Sequence, residues 1–157
     1  MRRIVAVAFT VGTLAYLSSV RTAASGEPAT KPAASAEVVM PAADMKWKDV
    51  IPGVTQSVLW GDPDTGAYGA ITRFKAGVQH KLHTHENDIK IIVISGTLTY
   101  QPDGGEMKKL GPGSYLVQPA GKKHMSGAGP EADCVFVQQS SGKFTLTFVE
   151  EKPAAKK

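Results

Sequence analysis

Seven short runs rich in β-branched and aromatic residues set the limits on what this chain can fold into: Gln56 to Trp60, Tyr68 to Lys75, Ile89 to Ile94, Thr97 to Gln101, Ser114 to Gln118, Cys134 to Gln138 and Lys143 to Val149. Each has the length of a strand, and turn-forming clusters separate them: Gly61-Asp62-Pro63-Asp64, Ser95-Gly96, Pro102-Asp103-Gly104-Gly105 and Gly111-Pro112-Gly113. In the last run Phe144, Leu146 and Phe148 alternate with Lys143, Thr145 and Thr147, the pattern of a strand with one buried and one wetter face. No stretch of comparable strength has a helical period. Many short strands with regular turns predict an all-β sandwich or barrel.

Three of the four histidines fall into two glycine-framed segments. In the first, Gly77 is followed after five residues by His83-Thr84-His85, and a β-rich run then leads to Gly96. In the second, Gly113 is followed after five residues by Pro119-Ala120-Gly121, with His124 three positions later. Side chains alternate across a strand, so His83 and His85 point to one face and can offer two imidazoles to one ion. His124, arriving from another strand, completes a face of three histidines.

These segments resemble the two motifs of the cupins. The first cupin motif is Gly, five residues, His-x-His, three or four residues, Glu, six residues, Gly; Gly77, His83, His85 and Gly96 match it. The second is Gly, five residues, Pro-x-Gly, two residues, His, three residues, Asn; Gly113, Pro119, Gly121 and His124 match it. Ile89 occupies the place of the usual glutamate, and Ala128 that of the final asparagine. Outside the motifs, Leu59-Trp60-Gly61-Asp62-Pro63, Gly66-Ala67-Tyr68-Gly69, Phe74-Lys75-Ala76-Gly77 and Val93-Ile94-Ser95-Gly96-Thr97 resemble a subgroup of small bacterial cupins that includes the cupin domains of ChrR-like anti-sigma factors. The paired cysteines of an anti-sigma factor's zinc domain have no counterpart, so the resemblance implies a single cupin domain: a double-stranded β-helix, or jelly-roll barrel.

The resemblance also implies a metal. His83, His85 and His124 are the ligands it assigns, and the ion is a divalent transition metal, one of iron, manganese, nickel or zinc. Without the glutamate, three neutral imidazoles leave the ion's charge uncompensated, which favours a small anionic partner in the open positions. Three-histidine cupins include thiol and diketone dioxygenases, so a dioxygenase-like enzyme is one expectation and a non-catalytic binding or sensing domain the other. The fourth position falls to Glu86, Asp88, His80 or a water. His80, three residues before His83, points away from the site on a continuous strand, and only a bend after Gly77 would swing it inward. No catalytic acid or base can be named, although Tyr68, Arg73, Tyr100, Gln118 and Gln138 sit in strands and could reach the interior.

The N-terminus bears on location. Met1-Arg2-Arg3, the apolar Ile4 to Val20 and the small residues Ala23-Ala24-Ser25 have the layout of a secretory signal peptide over residues 1–24. Residues 25–43, rich in Ala and Pro, read as a disordered linker, 44–150 as the cupin domain, and 151–157 as a flexible basic tail. The expectation is a periplasmic or secreted protein with no stable membrane span once the signal is cleaved. Cleavage removes three arginines and no acid, leaving 15 basic against 14 acidic residues, a net charge of +1. The sequence pI of 9.2 is therefore no argument for nucleic acid, and no basic stripe with interleaved aromatics supports one. Cys134, the one cysteine, reads as a buried strand thiol. An exposed sheet edge would suit a homodimer.

Overall fold

The computed structural model describes residues 36–150; the signal-peptide segment, most of the linker and the C-terminal tail lie outside them. Among the described residues a short 3₁₀ turn over Ala42–Asp44 precedes eleven strands. They are β1 (Lys48–Ile51), β2 (Val54–Gly61), β3 (Tyr68–Phe74), β4 (Gln79–Thr84), β5 (Ile89–Ser95), β6 (Leu98–Pro102), β7 (Lys108–Leu110), β8 (Tyr115–Gln118), β9 (His124–Ala128), β10 (Cys134–Ser140) and β11 (Thr147–Phe148). All belong to the unit that begins at Val39. No helix among the described residues is long and apolar enough to cross a membrane.

The strands form two antiparallel sheets, six strands in the order β1-β2-β3-β10-β5-β8 and five in the order β11-β4-β9-β6-β7. The expected closed jelly-roll barrel is corrected here: the architecture is all-β and cupin-like, but the two sheets stay open. No ladder joins β1 or β8 to β11 or β7. The strands at the edges of the smaller sheet are short, three residues in β7 and two in β11, and offer few backbone groups for a closing ladder.

The alternation that predicted strands also decides the core. On β5, Ile89, Ile91 and Val93 are buried while Lys90, Ile92 and Ile94 are exposed. The inward set packs with Val54, Phe74, Leu98, Ala128, Cys134 and Phe136 between the sheets. Burial pushes the Cys134 thiol up to about 11, as expected of a core cysteine and not of a nucleophile. Gly96 closes the β5–β6 turn at φ +72°, where a Cβ would run into the Asp133 carbonyl, so this motif glycine is a requirement of the backbone.

The C-terminal run departs from its predicted form. Only Thr147–Phe148 pair as a strand, against Thr84 and His83, and Phe148 is exposed. Upstream, the backbone is engaged elsewhere: the Phe144 amide donates to the Pro63 carbonyl at 2.7 Å, and the Thr145 carbonyl serves His85. These hydrogen bonds engage backbone groups that a ladder would otherwise use.

Candidate metal centre

Ladder register brings the histidines together. His83 on β4 pairs directly with His124 on β9, and His85 follows one residue beyond the end of β4 on the same face as His83. The Pro119–Gly121 loop is fastened onto that end. Gly121 donates to the His85 carbonyl at 2.8 Å, and Ala120 donates to Asp88 Oδ1 at 2.8 Å. Gly121 sits at φ +67°, which lets the chain turn from this contact into β9 and deliver His124. The spacing of the second motif is thus the length of chain needed to dock on the first.

The three imidazoles are buried, and one ligand nitrogen of each lies within 4.8 Å of the others. Ring centroids are 4.4 Å apart for His83 and His124, 5.0 Å for His83 and His85, and 5.2 Å for His85 and His124. Each Nδ1 has a backbone carbonyl: His83 donates to Lys81 at 2.7 Å, His124 to Lys122 at 3.0 Å, and His85 to Thr145. That arrangement assigns the proton to Nδ1 and leaves the Nε2 lone pair as the free donor on all three rings.

Desolvation by burial holds all three below the ordinary histidine value, His85 at about 4, so the rings are neutral near pH 7. His124 Nε2 is fully buried with no hydrogen-bond partner among the described residues. A buried acceptor without a partner, beside two others in the same state of protonation, fits a divalent transition metal.

The other candidates for the fourth position lie elsewhere. Glu86 is exposed and faces Lys143 at 3.7 Å, and Asp88 is committed to the Pro119–Gly121 loop. Neither joins the cluster. His80 does turn inward, for a reason different from a bend at Gly77. Between His80 and His83 the β4–β9 ladder carries a bulge, with three steps on β4 against two on β9, so both rings face the interior. His80 packs edge-on against Phe74 at 4.8 Å and stands 6.3 Å from His83, beside the triad.

His83 and His85 open onto a narrow cavity between the sheets, about 40 Å³ in volume. Ile89, Ile91, Leu98, Phe136 and Phe144 give it apolar walls. Ile89, in the place of the usual glutamate, is 3 % exposed and lines this cavity, so no carboxylate stands there. Of the strand residues that could reach the interior, Tyr68, Tyr100, Gln118 and Gln138 are buried. Arg73 points outward and lies over the Trp47 ring at 4.5 Å. Sequence reasoning missed Gln56 and Thr72, which join Gln138 and Tyr68 in a buried hydrogen-bonded chain. Burial pushes the Tyr68 hydroxyl up to about 12.

Solved structures share the fold. The polyketide cyclase RemF from Streptomyces resistomycificus aligns at TM-score 0.64 and 20 % identity, over 75 % of this chain and 89 % of that one. KdgF from a Halomonas species aligns at TM-score 0.56 and 24 % identity, over 68 % and 94 %. The DMSP lyase DddQ from Ruegeria pomeroyi aligns at TM-score 0.57 and 15 % identity, over 68 % and 62 %. At these identities the likeness speaks of the fold alone. No curated protein matches the sequence significantly. The model of the ChrR cupin-like domain matches residues 35–143, more than half of the sequence and the whole of both histidine segments, and the chain belongs to that family.

Proposed function

We propose that the domain is a metal-dependent enzyme acting on a small anionic molecule, of the oxygenase type or a related lyase or isomerase. The observation that carries this reading is the donor set. Three neutral imidazoles converge, and two of them, His83 and His85, line a cavity whose lining, among the described residues, contains no carboxylate. A bound divalent ion would keep its charge and open positions there, and would supply Lewis acidity and a template for substrate. The chain's own residues do the rest. His83, His85 and His124 would hold the ion through Nε2, with backbone carbonyls fixing their rings, and apolar side chains line the cavity beside them. The small volume restricts the ligand to a few heavy atoms. Relatives in fold that are named as a polyketide cyclase and a DMSP lyase support small-molecule chemistry on this scaffold by analogy.

One observation favours a second reading, binding without turnover. Beyond the triad, His80 is the only titratable side chain among the described residues lining the cavity, and burial lowers it below the ordinary histidine value. The experiment that separates the two loads the full chain with Fe(II) and supplies small thiols, diketones and hydroxy acids. Dioxygen uptake or product formation that disappears in His124→Ala establishes the enzyme. Ligand-induced thermal stabilisation with no uptake and no product under any of these conditions establishes the binding domain.

We further propose that the protein is exported, from the signal layout of residues 1–24. The mature chain is expected to begin near Ser25 or Gly26. Intact mass of the natively expressed protein reads this directly, and a retained Met1 in the cytoplasmic fraction would overturn it.

A further inference from the structure

Three glutamines stand among the cavity-lining residues, Gln56, Gln118 and Gln138, and each is nine-tenths or more buried. A buried amide needs partners for its N–H groups and its carbonyl. Two of the three find them within the protein. Gln56 Nε2 donates to Thr72 Oγ1 at 3.1 Å, Thr72 Oγ1 donates to Gln138 Oε1 at 3.1 Å, and Gln138 Nε2 donates to the Tyr68 hydroxyl at 2.7 Å. Gln118 takes no part in this chain, and its amide atoms are not among the fully buried ones left without a partner, which leaves them open to the cavity that Gln118 lines.

Its place in the ladder gives that unused amide a meaning. Gln118 on β8 pairs directly with Ile89 on β5, so the two side chains stand next to each other on the inner face of the six-stranded sheet. Ile89 holds the position where the family's motif has a carboxylate. At this corner of the cavity an apolar side chain replaces the anionic ligand, and a neutral amide with open N–H donors stands beside it, in the same cavity as His83 and His85.

We propose that Gln118 is the specificity-determining residue of the site, donating an N–H to an oxygen of the bound anion and so selecting small oxyanions such as carboxylates, hydroxamates or enolates over thiolates. The inference rests on the metal-centre reading and narrows its substrate class. An amide N–H gives a strong hydrogen bond to a charged oxygen and a weak one to sulfur, so loss of the amide should cost oxyanions selectively.

The test uses the full chain loaded with Co(II), whose visible spectrum reports ligand entry. It is titrated with acetohydroxamate as the oxyanion and 2-mercaptoethanol as the thiolate. In Gln118→Leu, acetohydroxamate should bind about tenfold more weakly while mercaptoethanol and Co(II) affinities stay within about threefold. In Gln118→Glu, which keeps the size and polarity that Leu removes, acetohydroxamate should weaken by more than about tenfold through like-charge repulsion. Equal weakening of both ligands, or no change in either, would overturn the proposal. A large loss of Co(II) affinity in Gln118→Leu would make the residue a metal ligand and overturn it as well. Wild-type protein that takes up no Co(II) would bring down the metal centre first, and the inference with it.

Discussion

His124→Ala is expected to purify without stoichiometric metal, where the wild type carries one divalent transition ion per chain. The three imidazoles act together because each is already oriented before an ion arrives. Backbone carbonyls hold every Nδ1, burial keeps every ring neutral, and the ligand nitrogens lie within 4.8 Å of one another. Little ordering remains to be done on binding, so the loss of one donor removes a preformed share of the affinity. Loss of an outer partner of a ligating histidine already costs ~10–100-fold in metal affinity, and loss of the ligand itself should cost at least ~100-fold. His83→Ala should behave alike, since His83 and His124 face each other across one pair of the β4–β9 ladder. Both positions are fully buried, so each variant needs a volume-conserving companion, His83→Gln and His124→Gln, to separate lost ligation from a collapsed core. Elemental analysis and metal titration beside circular dichroism read the outcome. Equal metal content in wild type and folded variants would remove the assignment.

How much of this was legible in the sequence follows from which physical rules act locally. Period-2 alternation is local, so the shared face of His83 and His85 could be read from one intervening residue, whereas β5 was legible as a strand but not its inner face, because Ile92 and Ile94 outside are as apolar as Ile89, Ile91 and Val93 inside. The fixed offset of His124 from Pro119 and Gly121 was legible for a similar reason, since it is the length of a docking loop. The bulge between His80 and His83 was not, because it exists only relative to the β9 ladder and leaves no mark in β4's own residues. Alternation likewise separates two faces without saying which is inside. That is why Gln118, Gln138 and Tyr68 could be named but not placed, and why Arg73 had to be carried with them until its place over Trp47 was seen. β9 itself, His-Met-Ser-Gly-Ala, lacks β-branched residues and is a strand only because β4 and β6 flank it. Closure is a property of edges, and nothing in a strand's composition reveals that no ladder joins β7 or β11 to the larger sheet.

The metal-free domain should lose stability as pH falls from about 6.5 towards 4, and His85 should account for about 3 kcal/mol of that loss. Burial is the main cause of its depressed value, about 4 against 6.5 for a free histidine, with the Thr145 carbonyl opposing and His83 and His124 adding repulsion. The sign follows from proton counting. Between the two values the unfolded chain binds a proton that the folded chain does not, so acid favours unfolding. The stabilisation is complete above pH 6.5, declines through the interval, and is gone below about 4. A depression of roughly 2.5 pH units corresponds to about 3 kcal/mol, a large part of a typical domain's 5–15 kcal/mol. His80, His83 and His124 are lowered as well, each chiefly by burial, so they push in the same direction. Urea unfolding of chelator-treated protein at pH 7, 5.5 and 4 measures the total, and His85→Gln isolates the share of one ring. Gln keeps an N–H for the Thr145 carbonyl but cannot titrate, so the gap between wild type and variant should shrink by about 3 kcal/mol across the range. A gap that stays constant with pH would mean that His85 is already charged, or already solvated, in the folded domain. Bound metal should delay the loss to lower pH, because protons and the ion compete for the same Nε2 lone pairs.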